Sequence, residues 1–293
     1  LARIALTPGD PLGVGPEVGV VAAATAGVDL VCLGDPDLWA RAAELRGVPL
    51  PTVEPLPPSD EPPEIAAIRA AAAGCQAGRY DAMVTGPIHK ASLLERGFAF
   101  PGHTGFLAHL CGLDADDAVM FFAGGRLAVS LATVHIPLAA VPDALTEAAL
   151  LRAARAPLPL LRKLGVASPR VALCGLNPHA GEDGQLGSED AAVVAPAVAA
   201  LRAEGIDATG PHPADTVFAA AAAGRYDLVV ACYHDQGLIP VKTLDFGRSV
   251  NITAGLPIVR TSVDHGTARD IAWTGAADAR HMAAAIAMAV RLA

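Results

Sequence analysis

Residues 5–18 read ALTPGDPLGVGPEV, an apolar run that breaks into glycines and prolines where a first strand would end and a first helix begin. The stretch matches neither common phosphate-binding template. A dinucleotide fingerprint needs G-x-G-x-x-G, and here Gly13 and Gly15 are followed by Val18 where the third glycine belongs. A P-loop closes on Gly-Lys-Ser/Thr, and this one closes on Pro16-Glu17. Downstream, short β-branched runs alternate with alanine-rich stretches to the end of the chain. Residues 2–7, 30–33, 82–85, 127–133, 171–174, 228–231 and 258–262 read as buried strands, and 64–75, 146–164 and 189–204 as helices. Such alternation predicts an α/β fold, a largely parallel sheet with helices on both faces. The proline-rich piece 50–64 excludes a helix interior and a central strand, and reads as an extended surface connection.

The 293 residues suit one large domain or two α/β lobes. Hydrophobic residues make up 53% and aromatics only 4%, which argues for a core of small aliphatics and against disorder. A formal charge of −9 with no basic stripe argues against nucleic acid as a partner. The five cysteines (Cys32, Cys75, Cys111, Cys174, Cys232) form no C-x-x-C and read as reduced core residues, so a cytoplasmic protein is expected. Charges and Pro196 interrupt the alanine stretches short of a membrane span, and the chain opens on a strand pattern with no leader expected.

One internal echo appears. Residues 71–90 and 220–236 share an alanine-rich helix, then Gly-Arg-Tyr-Asp, a four-residue apolar strand and a histidine. A repeated helix-to-strand turn, with Gly78 and Gly224 as helix stops, is favoured over a duplicated unit. Four of the nine histidines follow strand-like segments: His89, His135, His179 and His234. In open α/β sheets ligands gather at the carboxyl ends of strands. Neutral imidazoles there suit a divalent metal with open positions, although no H-E-x-x-H or cysteine spacing supports one. A lone histidine in such a place is more often a hydrogen-bonded core or rim residue. A second set suits anions: His103 and Thr104 at a helix start, with Lys242, Asn251 and Arg260. Asn251 capping a turn and Arg260 paired with Asp264 are the plainer alternatives. The glycine-rich stretch 177–190 reads as a mobile segment near the site or an ordinary glycine loop.

The blocks TPGDPLGVGPE, TGPIHK, GHTGF, TVHIPL, CGLNPHAGEDGQLGSED, YHDQGLIPVK and FGRSVNITAGLPIVRTSVDHGTA together resemble the 4-hydroxythreonine-4-phosphate dehydrogenase family of pyridoxal-phosphate biosynthesis, over nearly the whole chain. The resemblance implies a homodimer with a two-lobed α/β/α fold similar to isocitrate and isopropylmalate dehydrogenases, its active site in the interlobe cleft. The lobes implied are 1–102 with 267–293, and 103–266, the latter carrying the metal and substrate residues. Implied metal ligands are His135, His179 and His234, one of them from across the dimer interface; His89 drops out of that set. Implied substrate contacts are His103, Thr104, Asp215, Lys242, Asn251 and Arg260, with Lys242 or Asp235 moving the proton. Gly13 and Gly15 would border NAD or NADP. The metal implied is divalent, with zinc first and cobalt, nickel, magnesium or manganese as alternatives. The reaction implied is oxidation and decarboxylation of 4-phosphooxy-L-threonine to 3-amino-2-oxopropyl phosphate. Alternatives are oxidation of 4-phospho-D-threonate or 4-phospho-D-erythronate, suggested by Gly105 where biosynthetic members usually carry glutamate, and a three-histidine hydrolase or aldolase. The dihydrodiol-oxidising branch of the family is disfavoured because Lys242, Asn251 and Arg260 are all present.

Overall fold

The computed structural model describes residues 1–100 and 102–293 and divides into two compact units, Leu1–Ala118 with Val250–Ala293 (unit 1) and Val119–Ser249 (unit 2). The division is discontinuous, but the boundaries implied at 102 and 266 both fall inside unit 1. The helix His103–Leu110 stays in unit 1 because Phe106 and Leu107 are buried in its core. His103, Thr104, Asn251 and Arg260 thus belong with the opening loop, a correction to the implied layout.

The described strands are β1 (Arg3–Thr7), β2 (Asp29–Leu33), β3 (Thr52–Glu54), β4 (Ala82–Thr85), β5 (Val119–Ala123), β6 (Val129–Leu131), β7 (Arg170–Cys174), β8 (Asp207–His212), β9 (Leu228–Ala231), β10 (Val250–Ala254) and β11 (Arg260–Ser262). Unit 1 orders them β3-β2-β1-β4-β11-β10, all neighbours parallel except β10 with β11. Unit 2 orders them β5-β6-β9-β7-β8, parallel except β5 with β6. Strands buried on both faces need continuous apolar runs, as in Ile4, Ala5 and Leu6 or Leu228, Val229 and Val230, all 0% exposed.

Two expected elements are shorter than their apolar runs suggest. The stretch 127–133 contributes only Val129–Leu131 to the sheet. The expected helix 146–164 breaks into Glu147–Arg155 and Leu158–Lys163 around Pro157, which cannot donate within a helix. The first piece starts where the Thr146 hydroxyl accepts from the Ala149 amide at 3.1 Å, an N-cap.

The Gly-Arg-Tyr-Asp echo is a repeated clamp. Gly78 (φ 69°) and Gly224 (φ 81°) take the left-handed conformation that ends a helix. Asp81 then bonds twice to the first residue of the neighbouring strand: its amide donates to the Arg3 carbonyl at 2.8 Å, and its carboxylate accepts from the Arg3 amide at 2.7 Å. Asp227 does the same with Arg170, at 2.9 Å in both directions. Each clamp fixes the register at which β4 joins β1, or β9 joins β7.

The opening loop is packed within unit 1. A Cβ on Gly15 would lie 2.0 Å from the Pro8 carbonyl oxygen, and one on Gly13 would lie 2.8 Å from that of Thr267. Close backbone approach therefore accounts for both glycines. Pro16 lies in the first turn of the helix Gly15–Thr25. Buried Glu17 accepts from the Gly275 amide at 3.0 Å and from that of Trp273, while Arg269 donates to buried Asp10 at 2.6 Å.

Candidate functional site

In unit 1, Arg260 on β11 is 3% exposed, and its partners are hydroxyls. Its Nε and Nη2 donate to Thr85 Oγ1 at 3.2 and 2.6 Å, and Nη1 donates to Thr253 Oγ1 at 2.9 Å. A pairing with Asp264 is not what holds it. Without a carboxylate to offset desolvation, burial pulls its pKa down to about 9. A buried guanidinium without a counter-charge is costly, and an arriving anion relieves that cost.

Around it the polar inventory is unfinished. His103 Nε2 is shut off from solvent without a hydrogen-bond partner, and so is Asn251 Oδ1 on β10. Burial, followed by the charges of Arg260 and Lys90, holds His103 well below the ordinary histidine pKa, so it is neutral. His103 opens the helix His103–Leu110, whose first amides have no partners within the helix. Thr104 follows it, half-buried. A cation, an N-terminal helix turn and two unsatisfied polar atoms form a receptor for an oxyanion bearing a hydroxyl or amine.

In unit 2, His135 follows β6 and His234 opens the helix His234–Asp245 after β9, the neighbouring parallel strand. Their ring centroids lie 5.5 Å apart at 43°, so the rings are tilted and not stacked. His234 Nδ1 lies 2.7 Å from Asp235 Oδ1, which fixes the ring and leaves Nε2 as its open nitrogen. Asp235, expected as a candidate for proton transfer, is the group that grips His234. Lys242 lies eight positions further on the same helix, exposed at the surface, and Asp215 is exposed in the first turn of Ala214–Ala222.

His179 is not gathered with that pair; among the described residues no three His, Cys, Asp or Glu side chains are arranged to hold a metal. Its loop after β7 adopts an unusual backbone. His179, Ala180, Glu182 and Asp183 have φ of 53°, 54°, 45° and 55°, with Gly181 at 83° between them, a left-handed turn built mostly of non-glycine residues. Asp190, which is 2% exposed, holds the loop entrance: its carboxylate accepts from the Leu176 amide at 2.7 Å and the Asn177 amide at 3.1 Å. His89 has a capping role, accepting from the Ser92 amide at 3.2 Å through Nδ1.

Asp190, Thr85, Thr253 and Lys90 were not singled out from the sequence. Asp190 closes the glycine-rich stretch 177–190 and so lay in view, whereas the threonines show their role only once β4, β10 and β11 are side by side. The paired ring nitrogens of His135 and His234 fit a borderline-soft divalent metal, with a carboxylate behind one of them. Among the described residues no helix is long and apolar enough to cross a membrane.

The family model described as pyridoxal phosphate biosynthetic protein PdxA matches residues 56–289. The 4-hydroxythreonine-4-phosphate dehydrogenase of Thioalkalivibrio sulfidiphilus is 42% identical over 99% of this chain and 97% of its own length. The crystal structure of the 4-hydroxythreonine-4-phosphate dehydrogenase from Klebsiella pneumoniae superimposes with a TM-score of 0.88 at 39% identity, covering 100% of this chain and 99% of that one. Isocitrate dehydrogenase from Methylococcus capsulatus shares the fold alone, with a TM-score of 0.52 at 18% identity over 99% of this chain and 85% of that one.

Proposed function

The chain belongs to the PdxA family, and from that premise we propose that it oxidises 4-hydroxythreonine 4-phosphate at the carbon bearing its secondary hydroxyl, with loss of the carboxyl group as carbon dioxide, in pyridoxal phosphate biosynthesis. The observation that carries this reading is Arg260, buried and, among the described residues, partnered by the hydroxyls of Thr85 and Thr253, beside the unsatisfied His103 and Asn251. A phosphate ester supplies the missing charge, and a hydroxyl or amine on the rest of the substrate supplies the donor that Asn251 Oδ1 lacks.

In this mechanism Arg260, His103, Thr104 and Asn251 bind and orient the phosphorylated end, and Lys242 and Asp215 contact the remainder of the substrate. His135 and His234 hold the divalent metal, zinc in our reading, with His179 of a second copy of the chain completing the set. When bound, the metal supplies a Lewis acid that lowers the pKa of the substrate hydroxyl and stabilises charge during decarboxylation. Gly13 and Gly15 would border NAD or NADP, which would supply the hydride acceptor. Lys242 moves the proton, because Asp235 is committed to His234. Exposed Ile136, Leu138, Leu186 and Ile239 flank the histidine-bearing segments and support a homodimeric contact there. The free cysteines support a cytoplasmic site of action.

Gly105, at the third position of the helix His103–Leu110, favours a second reading, 4-phosphothreonate or 4-phosphoerythronate, whose lack of an amine leaves no role for a carboxylate there. Purified protein with divalent metal and NAD is to be offered each substrate while the nicotinamide absorbance is followed. Reduction with 4-hydroxythreonine 4-phosphate is expected; reduction with the sugar acid alone overturns the assignment. Ligand sharing is tested by co-expressing His135→Ala and His179→Ala chains. Each variant alone is expected to lose about 10³-fold or more in turnover. A mixed dimer regains one complete site only if His135 and His179 come from different chains, so absence of recovered activity overturns the shared site.

A further inference from the structure

We propose that Lys90 is a specificity-determining residue that brings a second full positive charge to the anion site of unit 1, selecting a phosphate monoester dianion over acids without one. The inference rests on the phosphate reading above and adds a residue to it.

Lys90 opens the short helix Lys90–Glu95, directly after the cap made by His89. Its side chain crosses to the start of the other helix: a Cβ on Gly102, the residue before His103, would lie 3.2 Å from Lys90 Cε and 3.6 Å from Nζ. The ammonium is therefore poised over the first turn of His103–Leu110, where the amides are open and His103 Nε2 lacks a partner. Lys90 is exposed, and among the described residues no carboxylate pairs with it. Its charge is felt at His103, alongside that of Arg260.

Charge arithmetic gives the ammonium a purpose. A phosphate monoester carries about −1.5 to −2 at neutral pH. Arg260 supplies one unit and a helix N-terminus about half a unit, which leaves the dianion incompletely matched. Lysine suits the remainder, because a compact charge on a flexible stem can follow the ligand from solvent without a buried cost while the site is empty.

The test compares Lys90→Gln and Lys90→Arg with the unaltered enzyme, using turnover of 4-hydroxythreonine 4-phosphate, inhibition by inorganic phosphate and the rise in melting temperature that inorganic phosphate produces. Lys90→Gln is expected to raise KM and the phosphate inhibition constant together by about 10-fold, the scale of one charged hydrogen bond, with a smaller change in kcat. Lys90→Arg is expected to recover most of the loss, and the salt dependence of KM is expected to flatten in Lys90→Gln. An unchanged KM and inhibition constant overturns the proposal, as does a lowered melting temperature with equal losses in KM and kcat, which marks a structural residue. If the unaltered enzyme turns over no phosphorylated substrate, the reading beneath fails, while the phosphate melting shift still decides whether Lys90 contributes to anion binding.

Discussion

Strands β4 and β9 begin alike and end unlike. Each starts from a left-handed glycine and an aspartate that grips the first arginine of the next parallel strand. At its far end β4 delivers Thr85, 0% exposed, to a buried guanidinium, whereas β9 runs through Cys232 and Tyr233 to the half-buried ring of His234. The beginnings of the strands carry folding information and the ends carry chemistry, which is why ligands gather at the carboxyl edge of such sheets. The two ends also differ in readiness. The anion site of unit 1 is buried and organised before any ligand arrives, at a cost in desolvation. The histidines of unit 2 lie nearer solvent, and only two of the three are gathered.

Arg260→Met strikes the buried end hardest. We expect kcat/KM for the phosphorylated substrate to fall about 10²- to 10³-fold, while stability in urea unfolding stays level or rises by about 1 kcal/mol, since an uncompensated buried charge is removed. A large loss of stability would show that the guanidinium supports the fold and would erase the contrast between the ends.

A smaller effect follows from His103. Its folded pKa lies below the ordinary histidine value, so above pH ~6.5 neither folded nor unfolded chain is protonated there, and its full contribution to stability is present. As pH falls below that value the unfolded chain takes up a proton the folded chain refuses, and stability declines by up to ~1.4 kcal/mol per pH unit. His103→Asn is expected to reduce the fall in unfolding free energy between pH 6.5 and 5.5 by about 1 kcal/mol. His212 and His281, also lowered by burial, keep part of the slope in that variant. An identical slope with and without His103 would contradict its burial as a neutral ring.

The smallest effects compare the two clamps. Asp227 also receives the Arg170 guanidinium at 2.8 and 3.0 Å, whereas the Arg3 guanidinium leans toward Asp29 at 3.6 Å. Asp227→Ala is therefore expected to cost about 1–2 kcal/mol in unfolding free energy and Asp81→Ala about half that, with turnover little changed in either. Equal costs would mean that the backbone bonds alone make the clamp.

The sequence foretold the parallel sheet because apolar runs and glycine stops are local signals, and those survive folding almost residue for residue, as in residues 82–85 and 228–231. It did not foretell β3, which lies in the stretch read as a connection, nor β5, β8 or β10. Asp207–His212 contains Gly210 and Pro211, residues that argue against a strand, and the antiparallel partners of β6 and β11 depend on neighbours distant in sequence. The histidines stood out by their places after strand-like segments and the anion residues by their chemistry, and the family resemblance removed His89 and added Asp215 and Asp235. What no motif could supply was their surroundings: the threonines that hold Arg260, the aspartate that grips His234, and the placement of His103 and Arg260 in the unit that carries the opening loop. Those depend on side chains meeting across strands, which a linear pattern does not encode.

The loop that carries His179 reverses an ordinary rule of protein engineering. In most helical turns, replacing alanine by glycine loosens the chain and weakens it by about 0.5–1 kcal/mol. Ala180, Glu182 and Asp183 occupy the mirror-image region, where every L side chain crowds its own carbonyl by roughly 1–2 kcal/mol. Glycine at those positions fits the native shape better than the residues present. The loop is thus a place where the folded form can be stabilised by removing side chains, and where the chain gives up stability to keep a histidine on a backbone of the opposite hand.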